Sequence, residues 1–402
     1  MAEAYKLAIL STHPIQHHAP WFRGLAAHPD LRVHVYYCHQ ATPREQAAAG
    51  FGVEFDWDVP LLSGYPHSFL QNVAHPAGHG RFAGFDTPEI TRVVRQQQYD
   101  AVLVNGWHYK SAWQAIWAAW QSDVRVFIRG DSHLHFPRSL PLRLTKLLAY
   151  RRFVPRFDAC LAAGEWSREY FAHYGARPDR IFLVPHVIDA EYMAFESQRF
   201  RAKRSEFGRQ WRLREDSIVF LFVGKFTETK RPMDFVRAVH AASRDERSVE
   251  GLMVGDGPLR GACEDFVRSQ HAPISFAGFL NQSQIVRAYA CSDVLVVPSD
   301  GETWGMVVNE AMACRLPCLV SDRVGCHPDL ILPGETGVVF PHRNVPALTA
   351  SIVKLARNPS QIAVMGETAF NRSRNFCVQT AVDGVMQALA VTVGMGEPVC
   401  TH

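Results

Sequence analysis
The sequence predicts an α/β protein built as two doubly wound domains, each around a parallel sheet. Three observations carry that expectation. At 402 residues the chain is longer than one hydrophobic core usually serves. Strand, helix and strand patterns alternate from Lys6 onward, which is the order that yields parallel pairing. A second alternating series opens at Ser217, after a highly charged helical stretch over residues 196–215. Residues 1–188 and 189–373 are therefore the two expected domains, with 374–402 a terminal helical segment.

Residues 6–11 read as the first strand, 21–27 as a helix and 32–37 as the next strand. The loop THPIQHHAP between the first two carries Gln16, His17 and His18, which offer side-chain donors. Residues 41–84 show no long helical pattern and read as irregular, while Phe51, Phe55, Trp57, Tyr65 and Phe69 argue against disorder. Loops of this length usually serve a ligand, and this one is expected to face the acceptor of any reaction. Asp56-Trp57-Asp58 superficially matches a metal-binding Asp-x-Asp, but two oxygen ligands do not make a cage.

Alternation resumes with helix 87–97, strand 101–105, helix 110–121 and strand 124–129. The loop beyond holds Arg129, Asp131, His133 and His135 at a strand's carboxyl end, where ligand residues belong. From Phe136 to Phe157 there are six basic residues, Arg138, Arg143, Lys146, Arg151, Arg152 and Arg156, and no acidic one. Leu140, Leu144, Leu147 and Leu148 recur between them at helical spacing. Such a helix lies either on an anionic bilayer or against the core with its basic face in water. Strand 159–162, helix 166–173 and strand 181–184 complete this half.

In the second half, strand 217–223 ends in GKFTETKRP, where Lys225 and Lys230 can converge on one anion. Strand 251–254 ends in the turn GDGP, and strand 274–276 ends in AGFLN. The stretch that organises the chain is 293–319, a buried strand, a turn, a helix over 304–314 and another strand. Glu302 and Glu310 flank the helix's first two turns, and the N–H groups of Trp304, Gly305 and Met306 are expected to point at a ligand. A carboxylate accepts two hydrogen bonds from a vicinal diol, so this pair suits two polyols joined by a diphosphate, the shape of a nucleotide sugar. The bland alternative is that Glu302 complements the helix dipole and Glu310 is a solvated charge.

Composition narrows the class. Hydrophobic residues at 47% and charged residues at 20% are those of an ordinary globular protein. A net charge of +3 is too small to argue for nucleic acid. Nine scattered cysteines suit a reducing compartment. Neither a signal peptide nor an uninterrupted apolar span is visible, so a cytoplasmic location is expected. Cys314, Cys318, Cys326 and His327 match no standard zinc spacing, and no metal is expected.

Glu302-x7-Glu310, with Gly305 between and EAMA running into a strand, resembles the signature of family 4 retaining glycosyltransferases of the GT-B fold. PHVID at 185–189, Lys225 and Lys230, GDGP and AGFLN match in order. The resemblance implies two Rossmann-like domains facing across a cleft, the first holding an acceptor and the second a UDP- or GDP-linked sugar, with the last helix crossing back to the first domain. It implies sugar transfer with retained configuration, no metal and no separate cofactor. Lys225 and Lys230 would grip the diphosphate, Gly278, Phe279 and Leu280 would hold the base through their main chain, and Glu302 and Glu310 would contact sugar and ribose. A histidine near the anomeric carbon is part of the family's site, and His133 is the candidate. Two features depart from the pattern: Lys225 stands where arginine is more usual, and the glycine-rich turn after the first strand is missing. Gln16 and His17 therefore either replace that turn on the phosphates or serve the acceptor together with Arg129 and Asp131. The acceptor is expected to be a carbohydrate, a lipid-linked glycan or a small molecule; if the basic helix 136–157 lies on a bilayer rather than against the core, it would place the protein at the inner face of the plasma membrane. A nucleotide-sugar 2-epimerase and a non-catalytic nucleotide-sugar-binding subunit share the architecture and remain alternatives.

Overall fold
The computed structural model describes residues 4–47, 52–136 and 138–394; Phe51, Pro137 and the segment 395–402 lie outside the described residues. The chain divides into two compact units, Met1–Ala41 with Pro60–Val187 and Cys377–His402, and Thr42–Val59 with Ile188–Phe376.

The first unit holds seven parallel strands: β1 (Tyr5–Ser11), β2 (Leu31–Tyr37), β3 (His67–Phe69), β4 (Ala101–Asn105), β5 (Arg125–Gly130), β6 (Ala159–Ala162) and β7 (Ile181–Leu183). Their order is β3-β2-β1-β4-β5-β6-β7, which reverses direction at β1 and β4. The inner strands β4 and β6 read as continuous apolar runs because both faces are covered, whereas β2 carries Arg32 and His34. On β1, Ala8 and Leu10 enter one core with the helices Glu89–Gln96 and Lys110–Trp120, while Leu7 and Ile9 enter the other with Ala19–Ala27 and Val378–Val393. The last helix approaches β7 so closely that a Cβ on Gly384 would lie 2.0 Å from the Leu183 carbonyl oxygen.

The second unit holds β8 (Ile218–Val223), β9 (Val249–Val254), β10 (Ile274–Gly278), β11 (Val294–Val297), β12 (Cys318–Ser321) and β13 (Gly337–Phe340). All pair in parallel in the order β10-β9-β8-β11-β12-β13, with the switch point between β8 and β11. Ligands of such sheets bind outside the carboxyl ends of the strands at that point.

Two expectations need correction. The stretch 41–84 is not wholly irregular, since β3 pairs with β2 there. Thr42–Val59 clusters with the second unit, although it lies within the 1–188 expected to form the first. By length and composition alone residues Pro359–Val393 also pass for a membrane span. They form two helices, Pro359–Ser373 and Val378–Val393, whose buried faces include Ile362, Met365, Val385 and Leu389.

Candidate active site
The loop leaving β8 brings two cations to the switch point. Lys225 follows Gly224 directly, and Lys230 ends a single 3-10 turn before Arg231, which is left-handed at φ 54° and precedes the helix Pro232–Asp245. Arg231 is held there by Asp234, whose carboxylate accepts two guanidinium hydrogen bonds at 2.9 Å. The Lys230 ammonium lies 2.5 Å from Glu302 Oε1, and Ser299 Oγ donates to the same oxygen at 2.8 Å. The Glu302 backbone N–H is fixed on the Arg323 carbonyl at 3.0 Å. Glu302 is thus a nearly enclosed carboxylate, not a free surface charge complementing a dipole. Burial lowers the Lys225 pKa, and the neighbouring Lys230 lowers it further, so the two cations occupy one site. An arriving anion relieves that repulsion.

The helix beside them begins at Met306 and ends at Ala313. Gly305 is its N-cap at φ 106°, where a Cβ would also meet Val324 Cγ1 at 2.9 Å. Trp304 is buried, and its indole N–H donates to Asn309 Oδ1 at 2.8 Å. Trp304 therefore props the helix from below. The first-turn amides lacking a helical partner are those of Met306 and Val307, one residue beyond the set expected from sequence. Glu310 is also buried: Tyr289 OH donates to its Oε2 at 2.7 Å, and the Gln282 side chain bonds it too. Burial raises the pKa of this carboxyl, which excludes the solvated-charge alternative.

At the end of β10, the Gly278 carbonyl accepts from Gly255 N–H at 2.8 Å. Phe279 and Leu280 are half-buried, and Asn281 caps the helix Gln282–Cys291. Asp58 binds Ser283 of that helix through its backbone N–H and hydroxyl, so Asp56 and Asp58 act separately. Cys314, Cys318 and Cys326 are buried thiols whose pKa values burial raises, Cys314 to about 12. Among the described residues no three potential ligands cluster as a metal site requires.

The first unit carries a second polar constellation at the carboxyl end of β5. Arg129 is buried, with its guanidinium 4.7 Å from the Trp21 ring and one NH2 donating to the Pro185 carbonyl at 3.0 Å. The same nitrogen lies 3.3 Å from His186 Nδ1. A guanidinium only donates, so Nδ1 accepts and the neutral ring carries its proton on Nε2, which donates to Asp131 Oδ2 at 3.2 Å. Arg129 Nε is buried with no hydrogen-bond partner. Burial lowers His17 to about 3, and Gln16 Nε2 lies 3.2 Å from its Nε2. Burial and Arg129 likewise hold His18 neutral.

The candidate His133 lies in the same loop as Asp131. It is buried, stacked 4.2 Å from the Phe136 ring and 4.9 Å from Trp166, with Nδ1 accepting from the His135 N–H. These contacts enclose the imidazole between Phe136 and Trp166. His186, which sequence reasoning passed over, takes the place beside Arg129 and Asp131. Its only signal was its position in the junction PHVID.

Two doubly wound parallel sheets in one chain are the architecture of GT-B glycosyltransferases, and solved structures of that class match. A glycosyltransferase from Rickettsia africae aligns with a TM-score of 0.73 at 12% identity, covering 97% of this chain and 99% of that one. HepE of Anabaena, in complex with UDP and glucose, aligns with a TM-score of 0.67 at 17% identity over 96% and 99%. Residues 21–192 match the model described as Glycosyltransferase Family 4, and residues 217–358 the model described as Glycosyl transferases group 1. The chain belongs to this group 1, family 4 class of glycosyltransferases. Curated relatives include a D-inositol 3-phosphate glycosyltransferase of Kribbella flavida, 29% identical over 58% of this chain and 56% of that one. An N-acetyl-alpha-D-glucosaminyl L-malate synthase of Bacillus anthracis is 27% identical over 42% and 44%. The chain spans about half the length of the curated relatives it matches.

Proposed function
We propose that this protein transfers a sugar from a UDP- or GDP-linked donor to an acceptor, with retention of configuration and without a metal ion. The observation that carries the reading is the meeting of Lys225, Lys230, Glu302 and the N-terminus of the helix Met306–Ala313 at the switch point of the second sheet. As the bond from the anomeric carbon to the diphosphate breaks, negative charge builds on the leaving oxygen. Both ammonium groups and the Met306 and Val307 amides stabilise that charge in place, which is electrostatic catalysis. Glu302, held by Lys230 and Ser299, orients the hydroxyls of the sugar. The first unit's Arg129, His186 and Asp131, with Gln16 and His17, receive the acceptor, a carbohydrate, lipid-linked glycan or small molecule. The relatives named as glycosyltransferases favour transfer over 2-epimerisation or binding alone.

NMR of the product, with and without a chelator, tests the mechanism. Retained configuration and unchanged rate in the chelator are expected. An inverted product, or activity abolished by chelator and restored by manganese, would refute it. Donor turnover with no acceptor present would instead identify an epimerase.

The helix Leu140–Phe153 supports a place at the cytoplasmic face of a membrane. None of its residues is buried, and Leu140, Leu144 and Leu148 are 70%, 60% and 76% exposed. Leu147, Tyr150 and Phe153 lean on the core, so Leu144 and Leu148 project outward between Arg151 and Arg152. Changing Arg151 and Arg152 to glutamine is expected to weaken binding to anionic vesicles about thirtyfold, from roughly 1 kcal/mol for each basic residue. Wild-type protein that ignores anionic vesicles at low salt would end the membrane reading and leave a soluble acceptor.

A further inference from the structure
The segment 52–59 belongs to the second unit, although the chain before Thr42 and after Val59 belongs to the first. Its exposure alternates: Phe55, Trp57 and Val59 are half-buried, while Glu54, Asp56 and Asp58 are exposed. The apolar side rests on the end of β10, with the Phe55 ring centroid 4.5 Å from that of Phe279 and edge-on to Trp57 at 4.9 Å. The polar side is fastened as well. The Asp58 carboxylate accepts the Ser283 N–H at 3.1 Å and also its hydroxyl, and the Asp56 carbonyl accepts the Asn281 side-chain amide at 2.7 Å. These bonds join positions 225 residues apart.

Asn281 and Ser283 open the helix that carries Gln282 and Tyr289, the two partners of Glu310. Along the neighbouring helix, Met306 and Glu310 are separated by four residues, a rise of about 6 Å. A diphosphate at Lys225, Lys230 and Met306 would therefore present its ribose near Glu310. The base would extend past Gln282 toward Phe279. Any nucleobase needs a partner for its π-face there, and an aromatic ring supplies one without choosing among bases.

We propose that the strap 52–59 forms the outer wall of the base site: Phe55 and Phe279 supply the aromatic surface, and Asp58 is a positioning residue that holds the strap on the helix. This rests on the donor reading above. The strap adds affinity for the nucleoside end of the donor and nothing to the diphosphate end.

Calorimetric titration of the full chain with UDP, GDP, ADP and inorganic pyrophosphate separates the two ends. Phe55→Ala and Asp58→Ala are each expected to weaken the tightest-binding nucleoside diphosphate about tenfold and to leave pyrophosphate unaffected, with Phe55→Tyr restoring the affinity. Phe55→Leu keeps the bulk and removes the π-face, so it decides the question if Phe55→Ala melts early. Equal losses for nucleotide and pyrophosphate, or no loss for either, would overturn the role of the strap alone. A wild-type chain that binds none of the three nucleotides would overturn the donor site itself, and the strap's role with it.

Discussion

Changing both Lys225 and Lys230 to alanine is expected to lower the transfer rate by at least about a thousandfold while leaving the protein folded. Removal of one such donor to a developing oxyanion costs roughly a hundred- to a thousandfold in turnover. Two cations and a helix N-terminus share the charge here, so losing both cations removes most of the stabilisation. The two single variants should differ. Lys225 stands in a desolvated place beside a like charge, so its loss removes catalysis and some repulsion together. Lys230 neutralises Glu302, whose side chain is only 11% exposed, so Lys230→Ala also strands a carboxylate. A fully buried pair broken in this way loses about 3–5 kcal/mol. Lys230 is 28% exposed, which makes the expected loss smaller. Lys230→Ala should therefore lower the melting temperature, and adding Glu302→Gln should restore it without restoring activity. Donor kcat/KM and thermal melts of the four proteins check this. A double lysine variant within tenfold of the wild-type rate would sink the electrostatic mechanism.

How far the site is legible in sequence depends on the range of the contacts involved. Residues 218–223 and 294–297 are apolar throughout because both faces of β8 and β11 are covered, and that pattern is local. Lys225, Lys230 and Glu302 could be read as ligand residues because each follows a strand's carboxyl end. Strands β3 and β13, at three and four residues, are too short for their alternation to stand out. The start of the central helix was displaced for a different reason. Trp304 fits the apolar spacing of the helix, but the left-handed Gly305 separates it from the helix. His133 and His186 show the same limit at longer range. Histidines near a strand's end look alike in sequence, and the pairing of His186 with Arg129, 57 residues away, is set by the sheet. The fastening of Asp58 to Ser283 is more distant still: the Asp58 carboxylate accepts from Ser283 and the Asp56 main-chain carbonyl from Asn281, contacts that the local Asp-x-Asp spacing does not reveal.

Glu310→Ala is expected to weaken nucleoside-diphosphate binding about ten- to a hundredfold, whereas Glu302→Ala mainly lowers turnover. A hydrogen bond to a charged group contributes about 1.5–3 kcal/mol, and a ribose diol offers two donors to one carboxylate. Glu302 lies before the helix N-terminus, beside Lys230, where the transferred sugar would sit; Glu310 lies a full turn further along. Glu310→Ala also removes the acceptor of a buried tyrosine hydroxyl, which costs stability of about 1–3 kcal/mol. Glu310→Gln keeps an acceptor for Tyr289 and isolates the loss of charge, so it is the cleaner of the two variants. Burial raises the Glu310 pKa, and the diol binds the ionised form better. Nucleotide affinity of the wild type should therefore fall as the pH drops through that raised pKa, and Glu310→Gln should flatten this dependence. Titration of both glutamate variants with nucleoside diphosphate, alongside turnover measured at saturating donor, separates the roles. If Glu302→Ala lost nucleotide affinity while Glu310→Ala kept it, the two carboxylates would have to exchange places in the mechanism.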